Sequence, residues 1–255
     1  MTTKPLESAG DRRLTEINLA IVCPMANEEA TAEAFVAAVL NECRNHEFKS
    51  VTVFAILDSK SSDKTREILD DLATRQPDLR VVWAPGNRCV VDAYLAGYRA
   101  ALNAGGDWIL EIDAGFSHQP HDIPRFFDKM LEGYDCVFGS RFCEGGKIIE
   151  SSWSRYIISR WGTILSNLLL GTKLKDMTSG FELFTRSSLQ YAVEKGIRSR
   201  GPFFQTEIKA YCRKLKIAEV PIQYRAASHN VGGAALNDSF RNLWRLFQLR
   251  LQGEL

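Results

Sequence analysis

The stretch Trp108-Ile109-Leu110-Glu111-Ile112-Asp113-Ala114-Gly115-Phe116-Ser117-His118-Gln119-Pro120 opens as an apolar strand and breaks into a loop at Gly115 and Pro120. Glu111 and Asp113 are two residues apart, and in a strand that spacing sends both side chains to one face. A carboxylate at the end of an apolar strand is costly to bury unless a cation or hydrogen-bond donors meet it. Asp113 is therefore expected to face a phosphate, held directly or through a metal ion. The plainer alternative is a solvated carboxylate in an ordinary strand-to-helix loop.

Three units of the same kind precede this stretch. Apolar runs at 19–23, 51–57 and 79–83 read as buried strands, stopped by Pro24, Asp58 and Pro85. Helical patterns follow over 28–45, up to about 74, and over 90–104, with Asn27 as the expected cap of the first and Glu28 and Glu29 at its positive end. Strand, loop and helix four times over predict βαβ units in a mostly parallel α/β sheet. Ligands in such sheets gather beyond the C-terminal strand ends, where the loops carrying Pro24, Asp58, Pro85 and Asp113 must converge. No GxGxxG or GxxxxGK[ST] follows a strand, which argues against a dinucleotide or P-loop site.

The second half is less regular. Asp122 is the expected cap of a helix through 131, a strand covers 136–142, and a helix carrying Arg155, Ser159 and Arg160 covers 153–170. Pro202 opens another helix and 218–222 reads as a last strand. In the C-terminal segment, Phe240, Leu243, Trp244, Phe247 and Leu251 share one helical face, with Arg241, Arg245 and Arg250 as the basic counterpart. That pattern suits a helix resting on an anionic membrane through residues 239–251, or one docked on the protein's own core or on a second copy in a homo-oligomer.

A formal net charge of +1 gives no argument for nucleic-acid binding. The cysteines are scattered without metal spacing, as expected of free thiols in a reducing compartment. Residues 1–16 lack an apolar signal core, and no run approaches the ~20 apolar residues of a spanning helix. We expect a tail over 1–16, one domain over 17–225 and a C-terminal loop and helix over 226–255. The expected location is the cytoplasm, peripheral on the cytoplasmic membrane face.

Taken in order, the loop motifs resemble the family 2 glycosyltransferases of the GT-A fold, in particular the dolichol-phosphate mannose synthases and related polyprenyl-phosphate sugar transferases. Pro24-Met-Ala-Asn27-Glu28-Glu29 is similar to P-x-x-N-E, and Asp58-Ser-Lys-Ser61-Ser62-Asp63-Lys-Thr65 to D-D-G-S-T-D-G-T. Asp113-Ala-Gly115-Phe-Ser117-His118-Gln-Pro120 is similar to D-A-D-L-Q-H-P. Gly139-Ser140-Arg141-Phe142 matches G-S-R-[YF], Asp176-Met-Thr178-Ser179-Gly180-Phe181 matches D-x-T-S-G-F, and Glu219-Val220-Pro221-Ile222 matches E-V-P-I. The departures are specific. Gly115 stands where the family carries the second aspartate of its metal pair, Ser59 and Lys60 replace D-G, and Asn87-Arg88-Cys89-Val90-Val91 has lost the glycines of a K-x-G-L-G segment. The closing R-x-x-G-x-S-K has no clear match in residues 224–230.

The resemblance implies inverting transfer of a hexose from a nucleotide sugar, GDP-mannose or a UDP-hexose, to a polyprenyl or dolichyl phosphate. It implies a nucleotide-sugar pocket of Pro24, Asn27, Glu28, Asp58, Lys60, Arg88 and Asp113, with Mg2+ or Mn2+ held by Asp113. Lys60, Arg88 and Arg141 could instead supply the positive charge directly. Asp113, Asp176 and Arg141 are the implied catalytic residues, and Arg141, Arg155 and Ser159 the implied binders of an acceptor phosphate. A saccharide or other hydroxyl acceptor would need a base, for which Asp176 and then Glu207 are the candidates. His118 is either a substitute metal ligand or a structural loop residue, and Trp153 and Trp161 are core or interface rather than sugar platforms. A third reading, prompted by Gly115 and Ser59, is a non-catalytic nucleotide-sugar-binding scaffold subunit.

Overall fold

The computed structural model describes residues 13–149, 153–225 and 233–255, apart from the side chains of Ser154 and Arg155. Most of the expected tail and the loop 226–232 therefore lie outside the described residues. Strands β1 (Asn18–Pro24), β2 (Ser50–Leu57), β3 (Leu79–Trp83) and β4 (Trp108–Glu111) alternate with helices α1 (Ala32–Arg44), α2 (Thr65–Arg75) and α3 (Val90–Asn103). β1 pairs in parallel with β2 and β4, and β2 with β3, as the βαβ reading requires.

The second half adds α4 (Ile123–Leu131), β5 (Cys136–Ser140), β6 (Lys147–Ile149), α5 (Trp153–Leu170), β7 (Glu182–Thr185), α6 (Arg186–Glu194), α7 (Phe204–Tyr211), β8 (Ile217–Pro221), β9 (Gln223–Arg225) and α8 (Gly233–Leu251). The main sheet runs β3-β2-β1-β4-β7-β5-β8, with β7 antiparallel to both its neighbours. β6 and β9 form a small parallel pair of their own.

Alternation along the strands builds two apolar layers. Leu19, Ile21 and Cys23 of β1 pack with Phe35 and Val39 of α1 and Phe126 and Phe127 of α4. Ala20 and Val22 point to the other face, which α3, α6, α7 and α8 cover through Tyr94, Tyr98, Leu189, Ile208, Leu243 and Leu246. A Cβ on Gly97 would stand 2.3 Å from Val22 Cγ1, so glycine there lets α3 lie close against the sheet. That approach aims Tyr94 and Tyr98 at the end of β4.

Two expected caps are not caps. α1 begins only at Ala32, and Asn27, with φ of 59°, spends its side chain across the neighbouring loop. Asp122 receives Arg125 Nη1 and the Gln223 N–H (2.7 Å) rather than the first turn of α4. The C-terminal helix also departs from its expected single stripe. Leu243 and Leu246 are buried, while Phe240, Trp244 and Leu251 are 62%, 58% and 71% exposed. Two of its three arginines turn inward: Arg245 pairs with buried Glu207, and Arg250 Nη1 donates to the Leu168 and Leu169 carbonyls at 3.0 and 2.8 Å. Among the described residues no helix is long and apolar enough to cross a membrane.

Candidate active site

The loops after β1 and β2 are stitched together by their own polar side chains. Asn27 Nδ2 donates to the Lys60 carbonyl at 3.3 Å, and its Oδ1 accepts from the Ser62 N–H at 2.9 Å. The Glu28 N–H donates to Thr65 Oγ1 at 2.7 Å, and the Glu29 N–H to Asp63 Oδ2 at 3.0 Å. Asp58 is buried at the end of β2 and accepts from the Lys60 N–H at 2.8 Å. These bonds consume the polar residues that a helix start at 28 would have required, which is why α1 begins late. Asn27, Glu28, Asp58 and Lys60 are thereby brought together beyond the C-terminal ends of β1 and β2, beside Pro24.

Beyond β4 the chain turns sharply through two successive left-handed residues, Gly115 (φ 71°) and Phe116 (φ 58°). The Tyr94 hydroxyl donates to Asp113 Oδ1, and Tyr98, one turn further along α3, donates to Glu111 Oε2. Gln205 Nε2 reaches the other oxygen of Glu111. Glu111 stands directly opposite Glu182 in the β4–β7 pair, a like-charge juxtaposition inside the sheet. Burial, reinforced by Glu182, pushes the Glu111 carboxyl well above the usual range. Burial raises Glu182 as well, to about 7, against the pull of buried Lys209, which pairs with it. Glu111 is thus part of a buried polar support beneath Asp113.

His118 is buried between Phe181 and Tyr224, with ring centroids at 5.2 and 5.1 Å, and its Nδ1 accepts the Asp113 N–H at 3.3 Å. Burial lowers its pKa to about 4, so it is neutral and fixes the loop. Arg141 is clamped by Asp176: Nε to Oδ2 at 2.7 Å, Nη2 to Oδ1 at 2.8 Å, and its own N–H to Oδ2 at 3.0 Å. Burial alone would raise the Asp176 carboxyl, but the Arg141 guanidinium overrides it and holds the group at about 2. Tyr224 and Phe142 flank the same guanidinium, each with its ring centroid at 5.3 Å.

A cavity of about 670 Å³ opens on Asp113, Arg141 and Ser159. Apolar side chains of α5 and α8 make most of its outer wall, among them Ile158, Trp161, Leu165, Leu236 and Phe240. Several expected site residues fall elsewhere. Arg88 is exposed and pairs with Asp92, and it does not line this cavity. Arg160 lies over Phe142 and meets the Lys175 carbonyl at 3.5 Å. The Arg155 side chain lies outside the described residues. Both base candidates are already engaged: Asp176 holds Arg141, and Glu207 accepts from the Ser199 N–H at 2.9 Å and pairs with Arg245. Thr178 lies in the D-x-T-S-G-F match, whereas Tyr94, Tyr98 and Gln205 carry no motif, and the four-residue spacing of the tyrosines reads equally well as core.

The description "Glycosyl transferase family 2" matches residues 20–192 of the chain. The polyprenol monophosphomannose synthase of Mycolicibacterium smegmatis is 27% identical over 238 residues, covering 92% of this chain and 88% of that protein. The undecaprenyl-phosphate mannosyltransferase of Micrococcus luteus is 33% identical over 171 residues, 66% of this chain and 70% of that one. Among solved structures, glucosyl-3-phosphoglycerate synthase from Mycobacterium tuberculosis, in complex with Mn2+, uridine diphosphate and glucosyl-3-phosphoglycerate, superposes with a TM-score of 0.63 at 19% identity, covering 98% of this chain and 86% of that one. The same enzyme with Mg2+ and uridine diphosphate gives 0.62 at 19% identity, covering 97% and 84%. That likeness is one of fold.

Proposed function

The chain belongs to glycosyl transferase family 2 and is a glycosyltransferase, and from that premise we propose that it moves a hexose from a nucleotide sugar to the phosphate of a polyprenyl or dolichyl phosphate, with inversion. GDP-mannose or a UDP-hexose is the donor. The observation that carries the proposal is the cavity between α5 and α8: its walls are apolar, and its inner end holds Asp113 and the clamped Arg141. An isoprenoid tail fits such walls, and an ionised phosphate fits the guanidinium. The names of the two bacterial relatives support the same acceptor class.

The donor would lie across the loops of Pro24, Asn27, Glu28, Asp58 and Lys60, with its diphosphate toward Asp113. A divalent ion, Mg2+ or Mn2+, would be held by Asp113 and by oxygens of the diphosphate. The residues fit such a group: the Asp113 side chain is 42% exposed, and Gly115 puts no side chain of its own beside it, so the carboxylate of Glu28 comes up against that loop. Among the described residues no three His, Cys, Asp or Glu side chains cluster as a metal site, so the donor's own oxygens are needed to complete it. When bound, the ion would neutralise charge on the departing diphosphate.

A lipid phosphate is ionised at neutral pH and attacks without a general base. That matters because Asp176, held at about 2 by Arg141, is a poor base. Arg141 directs Nε and Nη2 to Asp176 and Thr178, and none of the described residues takes a bond from Nη1, which is left for the acceptor phosphate. Ser159 lines the same cavity as a second donor. The test is a matrix of labelled GDP- and UDP-hexoses against polyprenyl phosphate and saccharide acceptors, read by mass spectrometry. Label entering the lipid phosphate supports the reading. Label entering only hydroxyl acceptors refutes it.

A further inference from the structure

Gly115 gives the Asp113 loop no side chain of its own, yet the space above it is not empty. A Cβ placed on Gly115 would stand 2.8 Å from Glu28 Oε1 and 2.9 Å from Glu28 Oε2, with no other atom as near. The Glu28 carboxylate, carried by the loop after β1, is therefore seated against the loop after β4. Thr31 Oγ1 holds its Oε2, and no described residue bonds its Oε1. The Glu28 backbone is anchored independently through Thr65 at 2.7 Å, so the carboxylate is delivered by a fixed loop. Both acidic side chains also bear on one buried atom: burial pushes the Cys23 thiol well up, and Asp113 and Glu28 each add to the rise.

We propose that Glu28 is the second carboxylate ligand of the donor-site cation, occupying the space that glycine at position 115 leaves open. Hard cations such as Mg2+ and Mn2+ take oxygen ligands, and their preference for carboxylates does not depend on which loop supplies them. The loops after β4 and β1 would then each supply one carboxylate to the ion, Asp113 and Glu28, and diphosphate oxygens would supply further ligands. The inference rests on the metal-assisted donor reading above. It goes beyond that reading by moving a residue of the nucleotide pocket onto the ion.

The test is Mn2+ binding to the full chain, followed by loss of the free-ion electron paramagnetic resonance signal, in the presence of UDP and, separately, GDP. Glu28→Gln should weaken Mn2+ binding by about tenfold or more, at least the loss that outer-shell partners cause. Nucleotide affinity in EDTA should fall by much less than the Mn2+ affinity does. The reciprocal variant is more exacting. Aspartate is among the residues that tolerate the left-handed region, and the three atoms nearest its Cβ all belong to the Glu28 carboxylate, which Glu28→Ala removes. Glu28→Ala combined with Gly115→Asp should therefore recover the Mn2+ binding that Glu28→Ala loses. If Asp113→Asn loses Mn2+ while Glu28→Gln binds it as wild type does, the Glu28 assignment falls and the metal reading stands. If Glu28→Gln loses nucleotide equally in EDTA, the residue serves the nucleotide and the assignment falls. If wild type binds nucleotide without taking up Mn2+, both fall together.

Discussion

The Tyr94 hydroxyl donates to Oδ1 of Asp113, and one helical turn along α3 Tyr98 does the same for Glu111. Two carboxylates on one strand face are thus met by two phenols on one helix face, yet they do different work. Asp113 is part-exposed at the cavity, whereas Glu111 is fully buried. Burial pushes both phenols far above their ordinary range, so each remains a donor. Tyr94→Phe should lower kcat/KM by roughly 10- to 100-fold with the melting temperature little changed, as expected when a residue orienting a reacting group is lost. Tyr98→Phe should show the opposite split, costing about 1–3 kcal/mol of stability with less effect on rate. Parallel kinetics and thermal melts read the difference.

Asp176 clamps Arg141, and on the proposed reading that is its role in place of a base. Asp176→Asn should leave a buried guanidinium unpaired and cost about 3–5 kcal/mol. That corresponds to a melting drop of roughly 6–20 °C for a chain of this size. A catalytic base would behave otherwise: its isostere would keep the melting temperature and lose only rate.

Acid should unfold the protein through His118. Its pKa in the folded chain is about 4, below the ordinary value, so its contribution is fully present above pH ~6.5 and is lost as the pH falls toward 4. The loss amounts to on the order of 3 kcal/mol. Asp176 adds a further loss between the usual carboxylate range and about 2. Denaturant titrations between pH 7 and 4 should show this slope, and His118→Phe should flatten the upper part of it.

The exposed apolar residues of α5 extend the membrane contact expected of residues 239–251, and the reading can be tested on both helices. On α5, Trp153, Trp161 and Leu168 are 78%, 65% and 72% exposed, and α8 adds Phe240, Trp244 and Leu251 beside it. Trp153→Ser with Trp244→Ser, neither of which lines the cavity, should reduce co-sedimentation with phosphatidylglycerol vesicles several-fold while leaving transfer to a short-chain, detergent-solubilised acceptor largely intact. Equal sedimentation of both proteins would assign these residues to another contact.

Much of this was legible in the sequence because buried parallel strands announce themselves as unbroken apolar runs, as at 19–23 and 51–57. The convergence of Pro24, Asp58 and Asp113 followed from strand direction alone. What escaped depended on long-range partners. β7 is a short strand of Glu-Leu-Phe-Thr, and only its place between β4 and β5 makes it antiparallel. The inward turn of Arg245 and Arg250 required knowing that Glu207 and the end of α5 lay beside them. A linear motif does not display the cation that pairs with each base candidate, Arg141 with Asp176 and Arg245 with Glu207.

The most direct test of the account is single-turnover transfer of labelled mannose from GDP-mannose, and of glucose from UDP-glucose, into polyprenyl phosphate with Mn2+ present. The anomeric configuration of the product is read by NMR, and wild type is run beside Asp113→Asn. The account predicts an inverted hexosyl lipid phosphate from wild type and a rate lower by about 100-fold or more in the variant. A hexosyl lipid phosphate formed equally fast by Asp113→Asn, or no lipid product from any donor, would contradict it.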